Sequence, residues 1–189
     1  YVWQRRWTPE LVRTVADAAE VFGAYRVLVG EVDARGVVAV AVDWPALAAA
    51  KRPVTLVLRI PGATPDIDIA AAGDLLIDAH AAAVAERVTV TGIEIDHDCA
   101  RSQLPAYVNL LHALRSRVDT PLAWSITALP DWLQSDALVE VLAEVDASVL
   151  QVHAVARPGD GLFDAAQALR WIRAYARVTP RPFRVALPA

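Results

Sequence analysis

Three carboxylates follow one another at alternate positions in the segment "GIEIDHDC", residues 92–99. In an extended strand, Glu94, Asp96 and Asp98 point to one side, while Ile93 and Ile95 point to the other. Carboxylates on one side of a strand are about 6–7 Å apart, close enough for their charges to raise one another's pKa values. A proton held among them would supply a general acid. The segment therefore predicts an acidic site in which Asp98 and Asp96 are the catalytic residues.

The same acids have a structural interpretation. A buried carboxylate is costly unless it is paired, and Arg5 and Arg59 lie on neighbouring predicted strands from which they can neutralise Glu94 and Asp96. Asp98 ends its strand, so we expect it to stay accessible. Glu94 has two alternative predicted roles, ion pairing and substrate binding.

Strand-like and helix-like segments alternate along the chain. The predicted strands cover residues 1–7, 25–33, 53–60, 90–98, 121–130, 147–155 and 182–188, with residues 37–42 pairing back as a hairpin extension. Helices are predicted from Thr8 to Gly23 and over residues 44–52, 68–87, 102–117, 131–145 and 165–178. This alternation with short links predicts parallel strands joined by right-handed crossovers.

The distribution of polar residues on the strands separates two architectures. A doubly wound open sheet is apolar on both faces, whereas the strands of a barrel turn one face to the helices and the other to the lumen. Most strands here carry polar residues on one side only. We therefore predict an α/β fold of the (β/α)8 TIM-barrel type, with residues 1–189 forming one domain. Seven strands are visible, and the eighth is expected beyond Ala189.

Barrel active sites lie at the carboxyl ends of the strands. Glu31 lies about 10 Å from Asp98 across two strands and is the candidate second carboxylate, with an ion pair to Arg59 as its structural alternative. His97 and Trp124 are expected to face the helices. The predicted substrate-binding side chains are Glu94, Glu31, Arg59, Thr127, Gln151 and His153.

Composition excludes several classes of function. The net charge of -4 provides no basic surface for nucleic acid. No run of about 18 apolar residues exists, so no membrane span is predicted. The single cysteine, Cys99, excludes a multi-cysteine zinc site, and no glycine-rich phosphate loop follows the first strand. We predict no cofactor and no resident metal.

The segment "GIEIDHD" resembles the fourth-strand signature of chitinase-type glycoside hydrolases, D-G-I/L-D-I/L-D-W-E. Asp98 takes the place of the terminal glutamate, the proton donor, and Asp96 that of the third aspartate. Thr91 stands where the first aspartate is expected, and the Asp98 side chain is one methylene shorter than glutamate. The segment "VLQVHAV" resembles the sixth strand of that family, which implies that Gln151 and His153 orient a sugar and its acetamido group.

A second resemblance extends over nearly the whole chain. The motifs that carry it occur in order: "YVWQRRW", "GIEIDHDCA", "SITALPDWL", "VLQVHAV", "GLFD" and "RPFRVALPA". They are similar to the bacterial family known as domain of unknown function 3142. This resemblance implies a glycosidase-type barrel and a protein of the bacterial cell envelope or an exported one.

Three functional hypotheses follow from these observations. The first is a glycoside-hydrolase-like barrel in which Asp98 is the general acid and Asp96 tunes it and positions the sugar. The second is a barrel that binds a saccharide or a protein without catalysis, as the departures at Thr91 and Asp98 suggest. The third is a metal-dependent hydrolase that uses Asp96, Asp98 and His153.

Overall fold

The structure is a computed structural model that describes residues 1–33, 35–62, 67–153 and 163–187. Its strands are β1 (Tyr25–Asp33), β2 (Gly36–Ala39), β3 (Val54–Ile60), β4 (Val90–His97), β5 (Ala123–Ala128), β6 (Ala147–Gln151) and β7 (Phe183–Ala186). Its α-helices are α1 (Pro9–Ala18), α2 (Trp44–Ala50), α3 (Ile69–Ala85), α4 (Leu104–Val118), α5 (Ala137–Ala143) and α6 (Ala165–Val178). The predicted strand positions 154–155 and 188, and residues 161–162 of the motif "GLFD", lie outside the described ranges.

One twisted sheet contains all seven strands in the order β2-β1-β3-β4-β5-β6-β7. Every neighbouring pair is parallel except β1 and β2, which form an antiparallel hairpin. This order is the one expected when each strand is followed by a helix that returns the chain to the next position of the sheet. The predicted parallel order and the hairpin extension are therefore present.

The first predicted strand, residues 1–7, is reduced to a single parallel bridge between Val2 and Val27. The reason is competition for the edge of β1. The hairpin strand β2 pairs with residues 30–33, and the Val40 amide donates to the Val29 carbonyl. Only the part of this edge before Val29 remains available for pairing with residues 1–7, and there the Val2 amide donates to the Arg26 carbonyl at 2.7 Å.

Four of the six α-helices in the described ranges begin with a side-chain cap. The Thr8 hydroxyl accepts from the Leu11 amide, and Asp68 and Asp164 cap α3 and α6 in the same way. The helix predicted over residues 131–145 is present only as the shorter α5, so its predicted start is wrong. A 3₁₀ turn, Pro130–Gln134, comes first, and the extended Ser135 separates it from α5. Asp131 therefore lies inside the turn and does not cap a helix.

The two faces of the sheet differ in chemistry, as strand alternation predicts. The helix-facing side chains form a continuous apolar core that includes Leu56, Ile95 and Trp124. His97 also lies on this side, where its ring meets Tyr107 of α4 edge to face at 4.9 Å. The opposite face carries the charged and hydroxyl side chains of β1, β3, β4 and β5.

The sheet is curved so that its two ends approach each other. Tyr1 and Trp3, next to β1, line the same cavity as Ala186 and Leu187 at the end of β7. The polar face is therefore concave and forms the inside of a barrel-like wall. Within the described ranges, no helix has the length and apolar character that crossing a membrane requires.

The core position of α3 can be tested with two adjacent residues. Leu76 is fully buried, whereas Ile77 is 37% exposed. We expect Leu76→Ala to lower the free energy of unfolding by about 2–5 kcal/mol because it leaves a cavity between helix and sheet. Ile77→Ala should cost less than half as much. Urea unfolding measures both, and equal losses would contradict this assignment of the helix faces.

Candidate functional site

A cavity of about 630 Å³ opens at the carboxyl ends of the strands. We call it the mouth cavity. Its floor and rim come from β3, β4, β5, β6, β7, the residues that directly follow these strands and the segment before α1. The polar and aromatic residues that line it are Tyr1, Trp3, Arg59, Asp96, Asp98, Thr127, Gln151 and His153.

Asp96 forms the floor of the mouth cavity and is only 3% exposed. The Thr127 hydroxyl donates to Asp96 Oδ1 at 2.6 Å, and Gln151 Nε2 donates to the same oxygen at 3.4 Å. Burial raises the pKa of Asp96, and the nearby Asp98 charge raises it further. The Thr127 hydrogen bond and the charges of Arg59 and His153 act in the opposite direction without cancelling the rise. Asp96 is therefore a carboxyl that keeps its proton to a higher pH than usual.

Asp98 lies at the rim, with 40% of its side chain exposed. Its carboxylate has two long contacts, to Arg59 Nη2 at 3.9 Å and to Gln151 Nε2 at 3.5 Å. Gln151 thus bridges Asp96 and Asp98 through one amide nitrogen. Both acids face the cavity, and Asp98 retains acceptor capacity for a ligand.

Glu94 does not reach the mouth cavity. It is fully buried one layer deeper, where Arg26 of β1 forms an ion pair with its Oε2 atom. The Ser125 hydroxyl lies 3.2 Å from both partners. Burial raises the pKa of Glu94, and the Arg26 guanidinium opposes this rise. Glu94 is therefore placed as a structural charge and not against the cavity as a substrate-binding group.

Arg26 is the ion-pair partner of Glu94 that the sequence patterns did not identify. Its signal is present in the segment "YRVLVGEVD", where an arginine stands on the opposite side from Tyr25 and Val27 of an otherwise apolar strand start. The expected partners, Arg5 and Arg59, bind other acids.

Glu31 also differs from its predicted placement. Its carboxylate forms a two-point ion pair with Arg5, including a contact of 2.6 Å from Arg5 Nη2 to Glu31 Oε1. Arg59 is next to Glu31 in the sheet register but turns toward Asp98 instead. Glu31 is not among the residues that line the mouth cavity.

An aromatic wall of Tyr1 and Trp3 faces the acids. The two rings are stacked, with centroids 5.1 Å apart and planes 2° from parallel. The Arg59 guanidinium lies 5.9 Å from the centre of the Trp3 ring. The alternation of aromatic residues in "YVW" places both on one side of an extended segment, and this is the signal that identifies them.

The remaining predicted residues occupy the cavity as well. Thr127 and Gln151 bind the acids, and His153 is an exposed rim residue. Across the described ranges, no three His, Cys, Asp or Glu side chains converge in a way that could hold a metal ion. The arrangement of Asp96, Asp98 and His153 therefore gives no support to the metal hypothesis.

Comparisons with known proteins bear on the family and the fold. The family model described as domain of unknown function DUF3142 matches residues 50–189. No curated protein gives a significant match. The predicted resemblance to this family is therefore confirmed.

Solved structures that share the fold include a spore cortex-lytic enzyme and a chitinase. The spore cortex-lytic enzyme SleL of Bacillus megaterium QM B1551 matches with a TM-score of 0.66 and 12% identity, over 93% of this chain and 45% of its own. A GH18 chitinase from Pseudoalteromonas aurantia matches with a TM-score of 0.59 and 14% identity, over 100% of this chain and 78% of its own. The chain thus spans less than half the length of SleL. Together with the curved parallel sheet, these similarities confirm the predicted TIM-barrel-like fold.

The raised pKa of Asp96 predicts a pH-dependent stability. The folded protein holds this proton more tightly than the unfolded chain, so the stability gained is present at low pH and is lost as pH rises through the folded-state pKa. Asp96→Asn keeps an acceptor for the Thr127 hydroxyl and removes the buried charge. We expect the variant to be more stable than the wild type at about pH 7, and the difference to shrink toward about pH 3.9.

Urea unfolding at several pH values measures this difference. Asp136→Asn, at an exposed acid outside the cavity, reports the general effect of removing one negative charge. A wild type as stable as Asp96→Asn at about pH 7 would contradict the predicted cost of the Asp96 charge.

The buried ion pair gives a second prediction. The Arg26 side chain is 16% exposed, and Glu94 is fully buried. Arg26→Met should lower the free energy of unfolding by about 3–5 kcal/mol because it leaves the buried Glu94 carboxyl without its ion-pair partner. Adding Glu94→Gln should recover part of the loss. Arg35→Met, which removes the exposed pair with Asp33, is the control and should leave the urea midpoint unchanged. Equal effects of the two arginine variants would exclude a special role for the pair.

Proposed function

The chain belongs to the DUF3142 family, and we propose that its barrel binds a carbohydrate in the mouth cavity and hydrolyses a glycosidic bond there. One observation carries the proposal. Two carboxylates and a stacked aromatic wall line the same cavity at the carboxyl ends of parallel strands. Active sites of parallel barrels lie at this end of the fold.

The lining suits the two surfaces of a sugar ring. The C–H face of a pyranose is apolar and packs on an aromatic ring, while its hydroxyl groups need hydrogen-bond partners. Trp3 and Tyr1 supply the apolar surface. Asp98, Gln151 and His153 supply acceptors and donors at the rim. A cavity of about 630 Å³ has room for a ligand of one to a few rings.

The two acids divide the chemical roles. Asp98 is the acid that a ligand can reach, and we assign it proton donation to the glycosidic oxygen. Asp96 is the second carboxyl, and its pKa is raised by burial and by the nearby Asp98 charge. Their Oδ1 atoms both lie within 3.5 Å of Gln151 Nε2. That limits their separation to about 7 Å, which is compatible with the carboxyl separations that glycosidases use.

The names of the similar structures agree with this substrate class. One is a chitinase and the other a spore cortex-lytic enzyme. At their low identities they support the fold, and the choice of a carbohydrate ligand for this chain is our proposal.

Binding without catalysis is the second candidate, and Thr91 favours it. Thr91 stands where the chitinase signature has its first aspartate, and its hydroxyl is directed to the Val54 carbonyl at 3.4 Å. It lines the opposite end of the barrel from Asp98. The acidic series is therefore one member shorter than in that signature, and the first carboxyl has no substitute at its position.

Variants at the two walls of the cavity test the proposal. Chitohexaose and cellohexaose are the probes, with binding measured by calorimetry and hydrolysis by product analysis. Trp3→Ala should weaken binding by about tenfold, or ~1.4 kcal/mol, because it removes the stacking surface. Asp98→Asn should abolish hydrolysis and largely preserve binding.

The controls are matched in residue type. Trp171→Ala removes a half-buried tryptophan of α6 outside the cavity, and Asp136→Asn removes an exposed acid. Neither should change affinity or turnover. Saturable binding with no hydrolysis by the wild type would favour the non-catalytic barrel. Failure to bind either saccharide would count against carbohydrates of these two kinds, and Trp3→Ala behaving like Trp171→Ala would reject the assigned wall.

A further inference from the structure

The loop that follows β4 is held from both sides by neighbouring loops. We propose that Gly62 and Trp132 are positioning residues that fix the backbone at Asp98 and so set the place of its carboxylate in the mouth cavity. This inference rests on the proposed function of Asp98. Gly62 and Trp132 come from the segments after β3 and β5, the two strands that flank β4 in the sheet.

Gly62 packs directly against the main chain of Asp98. A Cβ atom at this position would lie 2.0 Å from the Asp98 carbonyl oxygen and 2.9 Å from its carbonyl carbon. Both atoms are backbone, so the contact cannot be relieved by rotating a side chain. Among the described glycines, only Gly36 has a positive φ. Glycine is therefore required at position 62 for close approach and not for an unusual backbone conformation.

Trp132 holds the next residue from the other side. Its indole is fully buried, and Nε1 donates to the Cys99 carbonyl at 3.0 Å. The ring also packs edge to face on Tyr107 of α4, with centroids 5.9 Å apart. Removing this buried donor is costly, because the Cys99 carbonyl then loses its indole partner without gaining water in exchange. The 3₁₀ turn Pro130–Gln134, which replaces the predicted helix start, is the element that carries this tryptophan.

Two further contacts extend the restraint along the loop. The Gln103 side chain accepts from the Ala100 amide at 3.2 Å, and Arg101 Nη1 donates to Gln134 Oε1 at 2.5 Å. In contrast, among the residues that the structure describes, the Asp98 carboxylate has only its long contacts to Arg59 and Gln151. The side chain of Asp98 is thus weakly held while its backbone is firmly held. The backbone contacts must therefore place the carboxylate, as preorganised sites require.

Two variants with matched controls test the inference. Gly62→Ala adds the excluded Cβ, and Gly23→Ala adds the same atom where nothing lies within 4 Å. Trp132→Phe removes the indole donor, and Trp124→Phe makes the same change at an equally buried tryptophan on β5. Backbone and carboxyl NMR signals of Asp98 are recorded in the free protein. Chitohexaose affinity, kcat and KM are recorded with thermal unfolding.

Gly62→Ala and Trp132→Phe should displace the Asp98 and Cys99 signals and reduce kcat/KM by tenfold or more. Trp124→Phe should leave those signals in place. If both positioning variants keep the wild-type Asp98 signals and kinetics, the inference is wrong. If Gly62→Ala fails to fold, Trp132→Phe decides alone. A wild type that neither binds nor hydrolyses chitohexaose would count against the proposed function, whereas the Asp98 signals would still show whether Gly62 and Trp132 fix the loop.

Discussion

The buried ion pair between Arg26 and Glu94 connects two strands of the sheet that are not neighbours. Arg26 lies on β1 and Glu94 on β4, with β3 between them. In a flat sheet these positions are separated by two strand spacings, or about 10 Å. The contact forms because the long Arg26 side chain reaches across β3 to Glu94 on the concave face. An unpaired buried charge is destabilising, so this pair favours the arrangement of β1 and β4 in which the two side chains meet.

The three acids of β4 occupy three environments because they lie at three depths in this concave face. The deepest, Glu94, is closed off and used for pairing. Asp96 is buried at the cavity floor and accepts hydrogen bonds from Thr127 and Gln151, while burial raises its pKa. Asp98 is at the rim and has free acceptor capacity. One alternating strand therefore provides a structural charge, a modulated acid and an accessible acid, which explains why three carboxylates follow each other.

Alternation along the strands was sufficient to predict which side chains share the lumen, including Asp96, Thr127 and Gln151. It did not predict which charge pairs with which, because pairing depends on register. An irregularity between Leu28 and Gly30 shifts β1 against β3 and sets Glu31 beside Arg59, yet Glu31 pairs with Arg5 from the segment before α1. The hairpin strand β2 confines that segment to one bridge. These are contacts between distant parts of the chain, and no local pattern specifies them. The 3₁₀ turn that carries Trp132 was missed for a similar reason, since its tryptophan is held by the Cys99 carbonyl of another loop.

Arg59 shows how the rim differs from the layer beneath it. It is shared between the Trp3 ring at 5.9 Å and Asp98 at 3.9 Å, and 44% of its side chain is exposed. A cation over a half-buried ring at the surface and a long surface ion pair each contribute little free energy. A polar ligand can therefore take the guanidinium, or replace it on Trp3, without disrupting a strong interaction. The strong interactions are instead the buried pair at Glu94 and the backbone contacts around Asp98. A binding site needs this division, since rigid supports fix the geometry while weakly engaged side chains at the surface remain available to the ligand.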